Sequence, residues 1–517
     1  MLFSTLLSVG CGNSPQSVGS ADASPVGDTD GARAPTHDPS ALYDLPSLHD
    51  KARLSLVFGK DTVVEVEGRL VRTVEYGYLG ESDFPAADTM MAHRGRFFVE
   101  VDDAGAPLSD VSSVALLLAK EQADVSGYDI ECPLRTGVVC VLAGTVANPG
   151  SLAPLYAAEF RPGQDINDSN ELLFNLLSEM RRGSDVNGTI LSGAPVSRAY
   201  MVHIARAGIQ AITAAAKALD ERGFSTATER RYVVGGHSKW GGAAAQIAAV
   251  DHRLAGAVSF GFPLDWNRFV MLANDRWNTL LGVDLFGFLC GEGAIRCDWT
   301  SASMARFFAS TIAAPDECED GDCRGNGEQW LRQLDIATLR TAGHHEGVRY
   351  ALLRNGKEGH PIDTETPSAG TVAFPDQFLF LNDSGHTLRS EAHEAYWHHW
   401  IRYSFGLSET LTMALPTVES MASKHAIRAQ IDGSAQLISS ADLVYRASTV
   451  HEFGPLDGLQ GHSTERTWIR VPAIVQGGEV RASIPAIENA DIAYFFEARF
   501  DDGSGEGTIV TSPVLVQ

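Results

Sequence analysis

The sequence predicts an α/β fold: a mainly parallel sheet with helices on both faces and a helical cap insertion, followed by a C-terminal antiparallel β-sandwich. Short continuous apolar runs at 114–119, 137–142, 232–234, 254–262, 348–353 and 377–381 suit strands buried on both faces. Stretches with apolar residues at helical spacing, 170–182, 197–219, 243–250 and 390–403, alternate with them. Strand and helix in alternation imply a parallel sheet layered by helices. From residue 411 strand-like runs separated by turn residues replace the helices, as in a separate sandwich.

At 517 residues the chain exceeds one simple core and divides into two or three domains. Its net charge of −25 leaves no basic stripe to neutralise phosphates, which argues against a nucleic-acid partner. Residues 1–11 read as an export signal, an apolar run ending in Ser8-Val9-Gly10-Cys11. Gly10 before Cys11 resembles the cleavage and lipidation site of a bacterial lipoprotein. No Lys or Arg precedes the run, and Ser8 stands where Leu is usual, so an ordinary signal peptide is the alternative. Residues 12–40, rich in Ser, Gly, Asp, Pro and Ala, form a flexible linker. No later stretch has the roughly eighteen uninterrupted apolar residues of a spanning helix, so a membrane is met only through lipid on Cys11. The expected location is periplasmic, outer-membrane-anchored or extracellular.

Residues 41–410 carry the α/β domain. It opens on runs at 62–75 and 96–101 that alternate as half-buried strands do. Residues 266–345 are mostly helical in pattern and read as a cap inserted in the sheet order. Apart from Cys11, the cysteines fall in close couples: Cys132 with Cys140, Cys290 with Cys297, and Cys318 with Cys323. Behind an export signal such couples read as short-loop disulfides. A metal set is the poorer reading, because no C-x-x-C pair or nearby histidine completes a tetrahedron. The loop 316–323 is acidic enough for calcium, but a solvated, disulfide-pinned loop is the simpler account. Residues 411–517 form the sandwich, with strands at 426–431, 467–471, 493–500 and 508–516 and a turn at 501–505.

The chemistry gathers around Gly235-Gly236-His237-Ser238-Lys239-Trp240-Gly241, where an apolar run ends in glycines, delivers one serine and passes into an Ala-rich helix. This is the setting of a nucleophile elbow, with Trp240 in place of the second glycine of G-x-S-x-G and Gly241 one residue later. A serine that merely caps a helix is the bland alternative. A serine hydroxyl needs a histidine to take its proton, and that histidine needs an acid to orient it. In α/β-hydrolases the three arrive in the order serine, acid, histidine at the C-terminal ends of strands. Ser238, Glu358 and His386 keep that order, each just after an apolar run. Asp265 and Asp363 are alternative acids. The backbone N–H of Lys239 is the first oxyanion donor, and a second is expected near 120–122. The Lys239 side chain either meets an anionic substrate group or forms a surface pair. His393, His398 and His399 lie on the last helix, where a structural role is the default.

With these residues in place, the sequence resembles the PhoPQ-activated pathogenicity-related family of α/β-hydrolase-like proteins. The family's G-x-S-K-x-G-W elbow is matched by Gly236-His237-Ser238-Lys239-Trp240-Gly241 except for the final aromatic. Its V-D-x-R-V segment is echoed by Val250-Asp251-His252-Arg253-Leu254, and its N-A-G-H by Asn382-Asp383-Ser384-Gly385-His386 with one extra residue. The acidic turn G-D-E-F-F has a looser counterpart at Gly356-Lys357-Glu358. Glucuronoyl esterases have a related Ser-Arg-x-Gly elbow. The resemblance implies an exported protein with a hydrolase fold, and leaves the substrate open. The expected activity is an exported serine hydrolase acting on a small-molecule or peptide ester, or an amide, through an acyl-enzyme with no cofactor. The competing expectation is a secreted binding or signalling protein that keeps the fold with little turnover.

Overall fold

The computed structural model describes residues 39–81, 91–119, 127–144, 200–226, 228–237, 239–261, 336–344, 346–355, 376–381, 391–448, 468–503 and 507–516. All belong to one unit spanning His37–Gln517. The helix expected at 170–182 and most of the cap at 266–345 lie outside the described residues, as do Cys290, Cys297, Cys318 and Cys323.

Nine strands form the main sheet: β1 (Leu56–Val66), β2 (Arg69–Gly80), β3 (Met91–Val101), β4 (Asp110–Ala119), β5 (Val138–Gly144), β6 (Arg231–His237), β7 (Leu254–Phe260), β8 (Arg349–Asn355) and β9 (Gln377–Leu381). Their order is β1-β2-β3-β5-β4-β6-β7-β8-β9. The pairs from β5 to β9 are parallel, and β1, β2 and β3 add an antiparallel meander at one side. The run expected at 62–75 is therefore two strands. Glu67 and Gly68 have φ of 53° and 76°, the left-handed pair that a two-residue hairpin needs. The turn pairs Val66 with Arg69, three residues apart, so the alternation changes phase there, and strand-forming residues on both sides hide the break.

The period of two sorts the parallel strands into two core layers. Val114, Leu116, Leu118, Val139, Val141, Tyr232, Val234 and Ala257 face one layer, with α3 (Tyr200–Glu221) and α4 (Lys239–Val250). Ala115, Val138, Cys140, Val233, Val258 and Phe260 face the other, with α2 (Gly127–Thr136) and α6 (Glu391–Ser404). The other α-helices among the described residues are the short α1 (Leu45–His49) and α5 (Ile336–Thr341), the latter at the end of the cap interval. Helix α2 has no counterpart among the expected elements because Pro133 sits inside it, where a proline usually ends a helix. A disulfide joins Cys132 of α2 to Cys140 of β5. Helices α3 and α4 cross so closely that a Cβ at Gly208 would lie 2.6 Å from Ile247 Cδ1.

From Leu411 onward the chain forms two five-stranded antiparallel sheets. One contains β10 (Leu411–Met413), β11 (Thr417–Met421), β12 (Lys424–Gly433), β15 (Ile474–Gln476) and β16 (Glu479–Pro485). The other contains β13 (Ile438–Ser448), β14 (Ile469–Pro472), β17 (Asp491–Phe500), β18 (Thr508–Thr511) and β19 (Leu515–Val516). Leu411, Ile427, Leu443, Val480, Phe496 and Val510 fill the space between them.

The segment Val250 to Leu254 has a structural explanation. Asp251 is fully buried and accepts from Arg253 Nη2 at 2.7 Å, Arg253 Nε at 3.0 Å and the Arg253 backbone N–H at 3.0 Å. His49 Nε2 lies 3.3 Å away on the same carboxylate. Arg253 also donates to Thr213 Oγ1 at 3.0 Å and to the Ile209 carbonyl at 3.3 Å, tying the entry of β7 to helix α3. Burial would raise the Asp251 carboxyl, but the hydrogen bonds from His49 and Arg253 outweigh it and hold it well below the usual range. A lowered native value stabilises the fold above the unfolded value of about 4 and loses that contribution as pH falls below it. Asp251→Asn leaves Arg253 buried without its counter-charge. It is expected to lower the unfolding free energy by about 3–5 kcal/mol near neutral pH. In acid denaturation, followed by circular dichroism, the variant should lose less stability than the parent between about pH 5 and pH 2.

Candidate functional site

Strand β6 ends at His237 and helix α4 begins at Lys239, so Ser238 alone connects them. Ser238 itself lies outside the described residues, but both flanks are described. The flanks meet backbone to backbone. A Cβ on Gly236 would stand 2.2 Å from the carbonyl oxygen of Trp240, and one on Gly241 would stand 2.8 Å from the carbonyl oxygen of Gly236 and 2.7 Å from Ser259 Oγ on β7. No side chain fits at either position without the helix leaving the strand. A Cβ on Gly235 would likewise meet the Trp397 ring at 2.8 Å. Trp240, where the second glycine of the motif is expected, is buried among the α3 and α4 core residues. The constraint has moved one residue along to Gly241, which faces β7, and Trp240 is free to be large. The first N–H groups of α4 have no intrahelical acceptor, and they start at Lys239.

The other expected residues follow strands that stop at the same edge. His237 pairs with Phe260, Phe260 with Leu353, and Asn355 with Leu381, so β6, β7, β8 and β9 end nearly in line. Asp265 comes five residues after β7, Glu358 three after β8, Asp363 eight after β8 and His386 five after β9. All four lie outside the described residues, as does 120–122 after β4. Three strand spacings separate β9 from β6, about 14 Å, and five extended residues reach about 17 Å. His386 can therefore reach position 238 along this edge. Three residues span about 10 Å, enough for Glu358 to cross the one spacing to β9. Chain length also admits Asp265 and Asp363 as the acid.

Counted from β2, the strand order reads 1-2-4-3-5-6-7-8 with the second strand antiparallel and the serine following the fifth. This sheet is that of an α/β-hydrolase. No protein-family model matches the chain, and no curated protein matches it. Solved structures similar to it include an acetyl xylan esterase from Paenibacillus sp. R4, with 14% identity over 71% of this chain and 94% of that one and a TM-score of 0.39. Acetyl xylan esterase 1 from Thermoanaerobacterium sp. JW/SL YS485 has 10% identity over 72% of this chain and 94% of that one, with a TM-score of 0.36. A glucuronoyl esterase from Solibacter usitatus has 11% identity over 71% of this chain and 93% of that one, with a TM-score of 0.34.

His393, His398 and His399 are all buried on α6. His399 Nδ1 lies 2.9 Å from Asp502 Oδ2, and its Nε2 lies 3.0 Å from Thr410 Oγ1, a structural arrangement that reaches across to the sandwich. Among the described residues no group of three His, Cys, Asp or Glu side chains is placed to hold a metal ion. Among them, too, no helix is long and apolar enough to cross a membrane.

The close approach at Gly236 has a measurable consequence. Gly236→Ala is expected to lower the unfolding free energy by about 1–3 kcal/mol in a denaturant titration, the usual range for overpacking. Unchanged stability would mean that strand end and helix do not meet as described.

Proposed function

We propose that the protein is an exported serine hydrolase that cleaves an ester through a covalent acyl-enzyme. The observation that carries this reading is the interlocked passage from β6 to α4, which leaves one residue, a serine, between a strand end and a helix N-terminus. In this reading Ser238 attacks the carbonyl carbon, and His386 takes the hydroxyl proton and then hands it to the leaving alkoxide. Glu358 holds the imidazole in the required tautomer, and the N–H of Lys239 stabilises the oxyanion. Water then releases the acyl group by the same steps in reverse roles. An ester suits the site better than an amide because an alkoxide leaves more readily than an amine anion.

The motif resemblance to the PhoPQ-activated pathogenicity-related family belongs to the same proposal. It is supported by the elbow and by the buried Asp251–Arg253 pair that the echoed segment forms. Export is supported by the apolar run at 1–11 and by the Cys132–Cys140 disulfide, since such bonds persist in oxidising compartments. The interval 266–345 would shape the pocket over the sheet edge. Lipid on Cys11 would tether the chain to a membrane.

A fluorophosphonate probe should label the wild-type protein at Ser238, and labelling should vanish in Ser238→Ala. No labelling of folded protein would favour the binding reading instead. Glu358→Gln should lower kcat on a p-nitrophenyl ester by as much as about 10⁴-fold with little change in stability. If Asp265→Asn or Asp363→Asn does so instead, the acid sits on that other connection.

A further inference from the structure

We propose that the C-terminal sandwich is a positioning element of the hydrolytic site, bracing the segment that carries His386 from both sides. The inference rests on the functional reading above. Among the described residues strand β9, five residues long, is the last of its sheet and pairs with β8 alone. A short edge strand has little ladder to fix where its end points. Here the sandwich supplies what a tenth strand would. The backbone N–H of Phe380, one residue before the end of β9, donates to Thr511 Oγ1 of β18 at 2.8 Å in a buried contact. The Phe380 ring stands edge-on to Trp468 and Phe495, with centroids 5.7 and 5.0 Å away, and those two rings are 5.5 Å from each other. All three belong to the core layer that holds α3 and α4.

The other flank is tied to the same body. Helix α6 resumes the chain at Glu391, and its His399 is held between Asp502 and Thr410, with the Phe500 ring edge-on at 5.1 Å. The sandwich thus grips the chain before and after the interval 382–390, in which His386 is the expected base. A general base must stand within hydrogen-bond reach of the nucleophile, and a displacement of about 1 Å can slow reaction about 10²-fold. Thr511 does not touch substrate in this account. It acts through the direction of β9.

The test compares Thr511→Val, which keeps the shape and removes the acceptor, with Thr511→Ser, which keeps the hydroxyl. Rates are read as kcat and KM on p-nitrophenyl acetate and as fluorophosphonate labelling of Ser238, on protein whose near-ultraviolet circular dichroism matches the wild type. Thr511→Val is expected to lose roughly 10- to 100-fold in both kcat and labelling rate with KM unchanged, and Thr511→Ser to restore both. If Thr511→Val fails to fold, Trp468→Leu loosens the same clamp and should show the same split between kcat and KM. Wild-type kcat in the folded variant would overturn the brace while leaving the hydrolase intact. Equal loss in Thr511→Val and Thr511→Ser would overturn the role of the hydroxyl. A wild-type protein that takes no label at Ser238 would overturn the hydrolase reading, and the brace with it.

Discussion

The architecture turns on one steric fact: the end of β6 and the first turn of α4 lie against each other with no side chain between them. The Gly236 and Gly241 backbones occupy space that a methyl group would need, and β7 closes the third side through Ser259. Everything that makes the edge of the sheet useful follows from this. A helix that starts immediately after its strand brings N–H groups with no intrahelical acceptor to the point where the strand stops, and one residue has to span the change of direction. The rest of the molecule keeps the two elements pressed together. Ala243, Ala244 and Ala245 are fully buried, so α4 has no exposed face on which to tilt away. On the opposite layer, Trp397 of α6 rests against Gly235.

The same logic of filled edges explains the sandwich. A nine-stranded sheet has two open sides, and the β9 side is the one next to the expected base. Covering it with β18, three packed rings and the His399–Asp502 contact satisfies a buried N–H that would otherwise be orphaned. It also extends one core layer from the main sheet into the sandwich, since Val444, Trp468, Ala493, Phe495 and Val514 pack in the layer that contains Phe380 and Tyr350. An independently tethered binding module would have no need of such continuity.

The parallel half of the fold was legible because strands buried on both faces leave short apolar runs, as 114–119, 137–142 and 254–262 do around β4, β5 and β7. Elements whose signals conflict were not. Pro133 hides α2, and strand-forming residues on both sides of the Glu67–Gly68 turn hide the break between β1 and β2. Strand β13 is masked by Ser439, Ser440, Asp442 and Arg446, and only its partner β17 supplies the context that makes it a strand. At the site, the glycines around Ser238 announced a tight passage, because that constraint is local. Gly241 reads from the sequence as the place where the helix packs on its strand, and the structure adds β7 behind it through Ser259. The bond from Phe380 to Thr511 joins residues 131 positions apart, and nothing in either neighbourhood of the sequence marks it.

The central claim is spatial: the serine between β6 and α4 and the histidine beyond β9 come together at one rim of the sheet. A crystal structure of the protein after reaction with a fluorophosphonate measures this directly. The account predicts phosphonate density continuous with Oγ of Ser238 and a ring nitrogen of His386 within about 3.2 Å of that oxygen. An adduct on another residue, or an imidazole at 386 turned to a different face of the molecule, would contradict it.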